Sequence, residues 1–163
     1  MPTRRLTVLV VALLLFAASE ARAQSAIILV RHAERLDEST DSPLSAAGEQ
    51  RAQLLARMLD SAGVSAIYTT HFQRTFKTAE PLAKRLGLTI TQDDPPAAEL
   101  LRRIRASHPT GTVLIVGHSN TVPELLTALG YKNPAQIAAN EYDNLFIVSP
   151  RQDGPPVVLR LKF

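Results

Sequence analysis

The densest chemistry in this 163-residue sequence lies at Arg31-His32-Ala33-Glu34-Arg35, where the aliphatic run Ile27-Ile28-Leu29-Val30 breaks into cations, an imidazole and a carboxylate. Two further apolar runs end in functional side chains. Ala66-Ile67-Tyr68-Thr69 is followed by His71 and Arg74, and Thr112-Val113-Leu114-Ile115-Val116 by Gly117-His118-Ser119-Asn120. Arginine forks grip phosphate oxygens in pairs, helix starts add oriented N–H donors, and a neutral imidazole can act as nucleophile. Two imidazoles and two guanidiniums gathered at one edge suit phosphoryl transfer through a phosphohistidine.

These groups need a frame that brings three distant segments together. Unbroken aliphatic runs read as strands buried on both faces, as in the middle of a parallel sheet. Ligands of such sheets bind at the carboxyl ends of the strands, where all three segments fall. Between the strands the pattern turns helical. Ser45 opens a helix whose expected buried stripe is Leu54, Leu55, Met58 and Leu59 and which Gly63 ends. Arg74 to Leu86 is a second helix stopping at Gly87, with Pro81 implying a kink or break. Leu88 to Thr91 reads as a third strand near an edge, Asp93-Asp94-Pro95-Pro96 as a loop, and Ala97 to about Ser107 as an amphipathic helix. Pro123 starts a helix through Leu129. Leu145–Ser149 and Val157–Lys162 form an antiparallel hairpin around a proline-rich turn. The sum is an α/β fold, a three-layer α/β/α sandwich with a mostly parallel central sheet and an antiparallel edge strand.

Composition narrows the function classes. At 45% hydrophobic and 20% charged residues the chain is ordinary for one globular domain. Arg4 and Arg5, the apolar run Val8 to Ala18 and the small-residue end Ala21-Arg22-Ala23 have the three parts of a secretory signal peptide, and the run is shorter than the roughly 20 residues of a spanning helix. The expectation is a leader over 1–23, a single domain over 24–163, and a periplasmic or secreted location without stable membrane insertion after cleavage. With no cysteine, disulfides, thiolate catalysis and thiolate metal sites are excluded together. The formal charge of +3 is partly the leader's, and no basic run interleaved with aromatics points to nucleic acid.

Taken together, three segments resemble the motifs of the histidine phosphatase superfamily, the phosphoglycerate-mutase-like fold with its Arg-His-Gly signature. Arg31-His32-Ala33-Glu34 matches the first with alanine for glycine, Thr70 to Ala79 the second, and Gly117-His118-Ser119-Asn120 the third. The resemblance implies that His32 is the nucleophile and that Arg31, Arg74 and His118 hold the transferring oxygens, with Arg35 as a third cation. It implies a phosphomonoester hydrolase that needs no metal or cofactor and takes a small-molecule substrate. Two features depart from the family pattern. The mutase branch's tryptophan-containing insertion is missing, and Ser119 stands where the acid phosphatase branch has aspartate. Asp94 lies where the mutase-like branch keeps its proton donor, with Asp93 and Glu34 as alternatives.

Other readings carry expectations of their own. A zinc site of His32, His118 and Glu34 is opposed by the neighbouring arginines. Glu34 is expected to pair with an arginine, His71 to sit on the pocket rim, and His108 to face water at a helix end. A phosphate- or phosphosugar-binding module on the same fold, or a phosphomutase, are the functional alternatives. A binding module has no need of a nucleophile, and a mutase needs a cap that excludes water.

Overall fold

The computed structural model describes residues 26–151 and 153–163. The leader and its cleavage point lie outside these residues. Six strands, β1 (Ala26–Arg31), β2 (Val64–Thr69), β3 (Ile90–Gln92), β4 (Thr112–Gly117), β5 (Asn144–Ser149) and β6 (Val157–Lys162), form one sheet in the order β3-β2-β4-β1-β5-β6. The first four are mutually parallel, whereas β5 runs antiparallel to β1 and β6 antiparallel to β5. The expected antiparallel edge is therefore two strands wide.

Burial explains why β1 and β4 are central. Ile27 to Val30 and Val113 to Val116 are buried on both faces, as their unbroken aliphatic runs require. On one face α3 (Ala97–Ser107) and α4 (Thr121–Ala128) cover Leu29, Tyr68 and Ile115. On the other, α1 (Ala46–Leu59) and α2 (Gln73–Leu86) cover Ile28, Ile67, Leu114 and Val116. The result is the three-layer sandwich, with four parallel strands presenting their carboxyl ends along one edge.

Several local expectations are corrected. The buried stripe of α1 is Ala52, Leu55, Ala56 and Leu59, while Met58 is exposed; spacing of three and four keeps these side chains on one face, which Met58 leaves. The helix starts at Ser45, whose hydroxyl accepts from the Gly48 amide, and stops at Leu59 rather than at Gly63. Helix α2 continues through Pro81 and ends at Gly87, whose left-handed φ of 66° lets its amide return to the Ala83 carbonyl. The Leu88 amide bonds to that same carbonyl, so β3 begins only at Ile90. Helix α4 begins two residues before Pro123, which occupies its first turn.

Candidate active site

The parallel order β2-β4-β1 sets the ends of β1, β2 and β4 side by side, so Arg31-His32, Thr70 to Arg74 and His118 converge on one cavity of about 550 Å³. Its lining includes Arg31, His32, Arg35, Arg74, Asp94 and His118. All six residues assigned to chemistry or phosphate binding thus share one space.

His32 is buried, and its Nδ1 lies 2.8 Å from the Ala33 carbonyl oxygen. A carbonyl only accepts, so Nδ1 carries the proton and Nε2 keeps its lone pair. Burial, followed by the charges of His118, Arg31 and Arg74, pushes the imidazole down to about 3, which keeps it neutral across the physiological range. The Ala33 amide donates to the Thr78 hydroxyl at 2.9 Å, and that hydroxyl donates to the Arg74 carbonyl at 2.7 Å. Thr78 therefore ties the loop that carries His32 to α2. The Ala33 methyl, where the family signature has glycine, packs with Leu44 and Ala52.

The second imidazole stands beside the first, with ring centroids 5.2 Å apart. Its backbone amide donates to Thr121, and its Nε2 lies 3.0 Å from the Thr70 hydroxyl. Thr70 also meets the Thr75 hydroxyl at 2.9 Å, while Thr75 lies against the Thr70 and Phe72 carbonyls. Those carbonyls take the Thr75 proton, so Thr70 donates to Thr75 and accepts from the Nε2–H of His118. Burial and then Arg74 and Arg31 push His118 down to about 4. In the free pocket the ring is neutral and its one N–H is taken up by Thr70.

The arginines are held by backbone. Arg31 donates from one terminal nitrogen to the Ala138, Ala139 and Glu141 carbonyls at 2.8–3.0 Å and lies 4.1 Å over the Tyr142 ring. Arg74 donates to the Thr40 carbonyl at 2.8 Å and stacks on Phe72 at 4.2 Å. Burial above all lowers both guanidiniums from their ordinary value, and Arg35 adds repulsion to each. The Nε groups of Arg31 and Arg74 are both buried without a hydrogen-bond partner. Donors left so are costly, and an oxyanion is the natural group to satisfy them. Arg35 pairs with Glu38 on the rim.

Glu34 is clamped by the Nε and a terminal nitrogen of Arg51 at 2.7–2.9 Å, which lowers its carboxyl further against the opposing effect of burial. It supports the loop and is committed to that arginine. Asp93 is engaged by Arg103 at 2.9 Å, whereas Asp94 lines the cavity and lies 3.6 Å from His71 on the rim. His108 is corrected: it is partly buried, and its Nε2 lies 3.1 Å from the Tyr68 hydroxyl. Residues 138–141, Thr75 and Thr78 were missed by sequence reasoning. Only the two threonines left a signal, as polar residues at fixed offsets from Arg74 on the apolar face of α2.

A family model described as histidine phosphatase superfamily (branch 1) matches residues 27–95. A probable phosphoglycerate mutase of Yersinia enterocolitica is 34% identical over 90 residues, which are 51% of this chain and 41% of that protein. This chain thus spans well under half of that relative's length. Among solved structures, a protein histidine phosphatase complexed with tungstate superposes with a TM-score of 0.68 at 18% identity, covering 84% of this chain and 96% of that one. A phosphoserine phosphatase from Entamoeba histolytica, complexed with 3-phosphoglyceric acid, superposes with a TM-score of 0.67 at 16% identity, covering 86% and 98%. At such identities the superpositions establish the shared fold.

Proposed function

Because the chain belongs to the histidine phosphatase superfamily, we propose that it is a phosphomonoester hydrolase acting through a phosphohistidine on His32, without a metal. One observation carries this reading. A buried imidazole has its Nδ1 proton pinned to a carbonyl and its Nε2 lone pair free, within a cavity lined by three arginines.

In the first step the Nε2 lone pair forms an N–P bond as the P–O ester bond breaks, and the leaving alkoxide takes a proton from Asp94. The transferring oxygens are met by Arg31, Arg35 and Arg74, and by the Nε2–H of His118 once it turns from Thr70 to the incoming oxygen, which together stabilise the charge spread over them. In the second step a water oxygen attacks phosphorus and gives its proton to the Asp94 carboxylate. The N–P bond breaks, releasing inorganic phosphate and restoring neutral His32. The cavity's open rim, with Asp94 and His71 both substantially exposed, admits that water and favours hydrolysis over a mutase reaction. A leader ending near Ala23 would place this activity in the periplasm, and intact mass of the exported protein tests that placement.

Rapid quench with a labelled phosphomonoester should trap a base-stable, acid-labile phosphoenzyme, and chelators should leave turnover unchanged. Binding of phosphate esters with no label and no turnover would favour the binding module. Chelator-sensitive activity restored by zinc would overturn the phosphohistidine route.

A further inference from the structure

Behind the catalytic cavity, on the α3/α4 face of the sheet, lies a second cavity of about 280 Å³ between the start of α3 and the start of α4. The two cavities share Thr70, Asp94 and Thr121, so they adjoin at the proposed proton donor. Their linings have opposite character. The catalytic cavity has three arginines and two histidines, whereas the second has no cationic side chain. Its floor is apolar, with Leu100, Ile115 and Leu125, and its rim carries Asp93, Asp94 and Glu124.

We propose that this second cavity is the leaving-group pocket, and that it selects phosphomonoesters of uncharged or cationic alcohols over those whose alcohol carries a carboxylate. The assignment rests on the phosphatase reading above. The ester oxygen must sit where Asp94 can protonate it, and Asp94 is the one carboxylate lining both cavities. An alcohol leaving from that point has the second cavity next to it. Electrostatics then decides which alcohols are accepted. Arg103 offsets Asp93, and the two helix starts supply roughly half a positive charge each. With Asp94 holding the proton it gives up, Asp93 and Glu124 are matched by these charges, so the pocket has no cationic side chain to pair with a carboxylate and its apolar floor offers one nothing in return for its hydration.

Two matched substrate pairs isolate one carboxylate each: glycerol 3-phosphate against 3-phosphoglycerate, and phosphoethanolamine against phosphoserine. The purified full chain should favour the carboxylate-free member of each pair in kcat/KM by about tenfold or more, the scale of leaving one desolvated carboxylate without a partner. Glu124→Lys, on an exposed position of α4, should shrink both ratios by a similar factor. Ala97→Phe should raise KM for phenyl phosphate several-fold more than for methyl phosphate. Equal turnover within both pairs, or variants that change every substrate alike, would overturn the pocket assignment while leaving the phosphatase reading intact. Absence of both turnover and phosphoenzyme with all six esters would instead overturn the phosphatase reading and the pocket with it.

Discussion

The phosphoryl side of the site and the β3–α3 side are built to different standards. His32, Arg31 and Arg74 stand after strands whose neighbours pair on both sides, and each is held by backbone carbonyls or a threonine. Asp94 follows the three-residue edge strand β3, sits before two prolines, and lies 3.6 Å from an exposed histidine. The contrast separates two demands. Charge stabilisation of a transferring phosphoryl group needs donors that do not reorganise, and buried, multiply tied side chains supply that. Protonating and housing a variable alcohol tolerates an exposed loop, which is where binding specificity is commonly carried.

Removing the proposed nucleophile is the strongest challenge to this division. His32→Ala should abolish covalent labelling and lower turnover by roughly a thousandfold or more, on the scale of losing other enzymatic nucleophiles. His118→Ala should slow formation and breakdown of the phosphoenzyme while leaving the label detectable. Label persisting on the His32→Ala protein would move the nucleophile elsewhere.

The scaffold under the phosphoryl side can be attacked without touching it. Helix α1 approaches the loop so closely that a Cβ on Gly48 would lie 2.2 Å from the Glu34 carbonyl oxygen. That neighbour is backbone, itself bonded to the Ser45 amide, so it has little freedom to yield. Gly48→Ala should cost about 1–3 kcal/mol in stability and reduce kcat, read by denaturant melts and by turnover. Matched stability and activity with the parent would show that the loop is less tightly seated than the contrast requires.

Acidity tests the same side. Both imidazoles are neutral because burial disfavours their charged forms, at about 3 for His32 and about 4 for His118. The unfolded chain binds those protons near the ordinary 6.5, so between about 6.5 and 3 it binds more protons than the folded one, and stability falls as pH falls through that window. Chemical melts between pH 7 and pH 4 should show this loss, smaller in His32→Asn. In catalysis, kcat/KM should show no ionisation near 6.5 belonging to either imidazole. An acid limb near 6.5 that disappears in His118→Asn would contradict a buried, neutral second imidazole.

How far the sequence could reveal this arrangement follows the same boundary. Strands β1 and β4 announce themselves because a strand buried on both faces must be aliphatic throughout, and their carboxyl ends carry the motif residues. Met58 and β3 were misread for a shared reason: which helical face packs, and where a strand begins, depends on neighbours that are distant in sequence. The turn after Gly87 sends the Leu88 amide back to α2 and delays β3 by two residues. The carbonyls that hold Arg31 come from residues 138–141, more than a hundred positions away. A carbonyl is present at every residue, so no side-chain pattern marks those that serve. His108 likewise meets Tyr68 only because α3 ends beside β2.

The smallest expected effect falls on the loosely held side, at the proposed proton donor. Alkoxides leave poorly without a proton, whereas p-nitrophenolate is stable enough to leave unaided, so a general acid matters only for poor leaving groups. Three carboxylates were candidates. Glu34 is bound by Arg51 through both its oxygens, and Asp93 by Arg103. Asp94 lines the cavity 3.6 Å from the rim histidine, with no arginine paired to it among the described residues. Asp94→Asn keeps the shape and removes the proton, and should slow phosphoenzyme formation from an alkyl phosphate by about a hundredfold, at the lower end of general acid catalysis, while changing its formation from p-nitrophenyl phosphate by less than about threefold, because no protonation is needed there. Since the second step also uses this carboxylate, breakdown of the phosphoenzyme should slow modestly with either substrate. Equal effects on the two formation rates, or none on either, would remove Asp94 as the donor to the leaving group and leave water or His118 in that role.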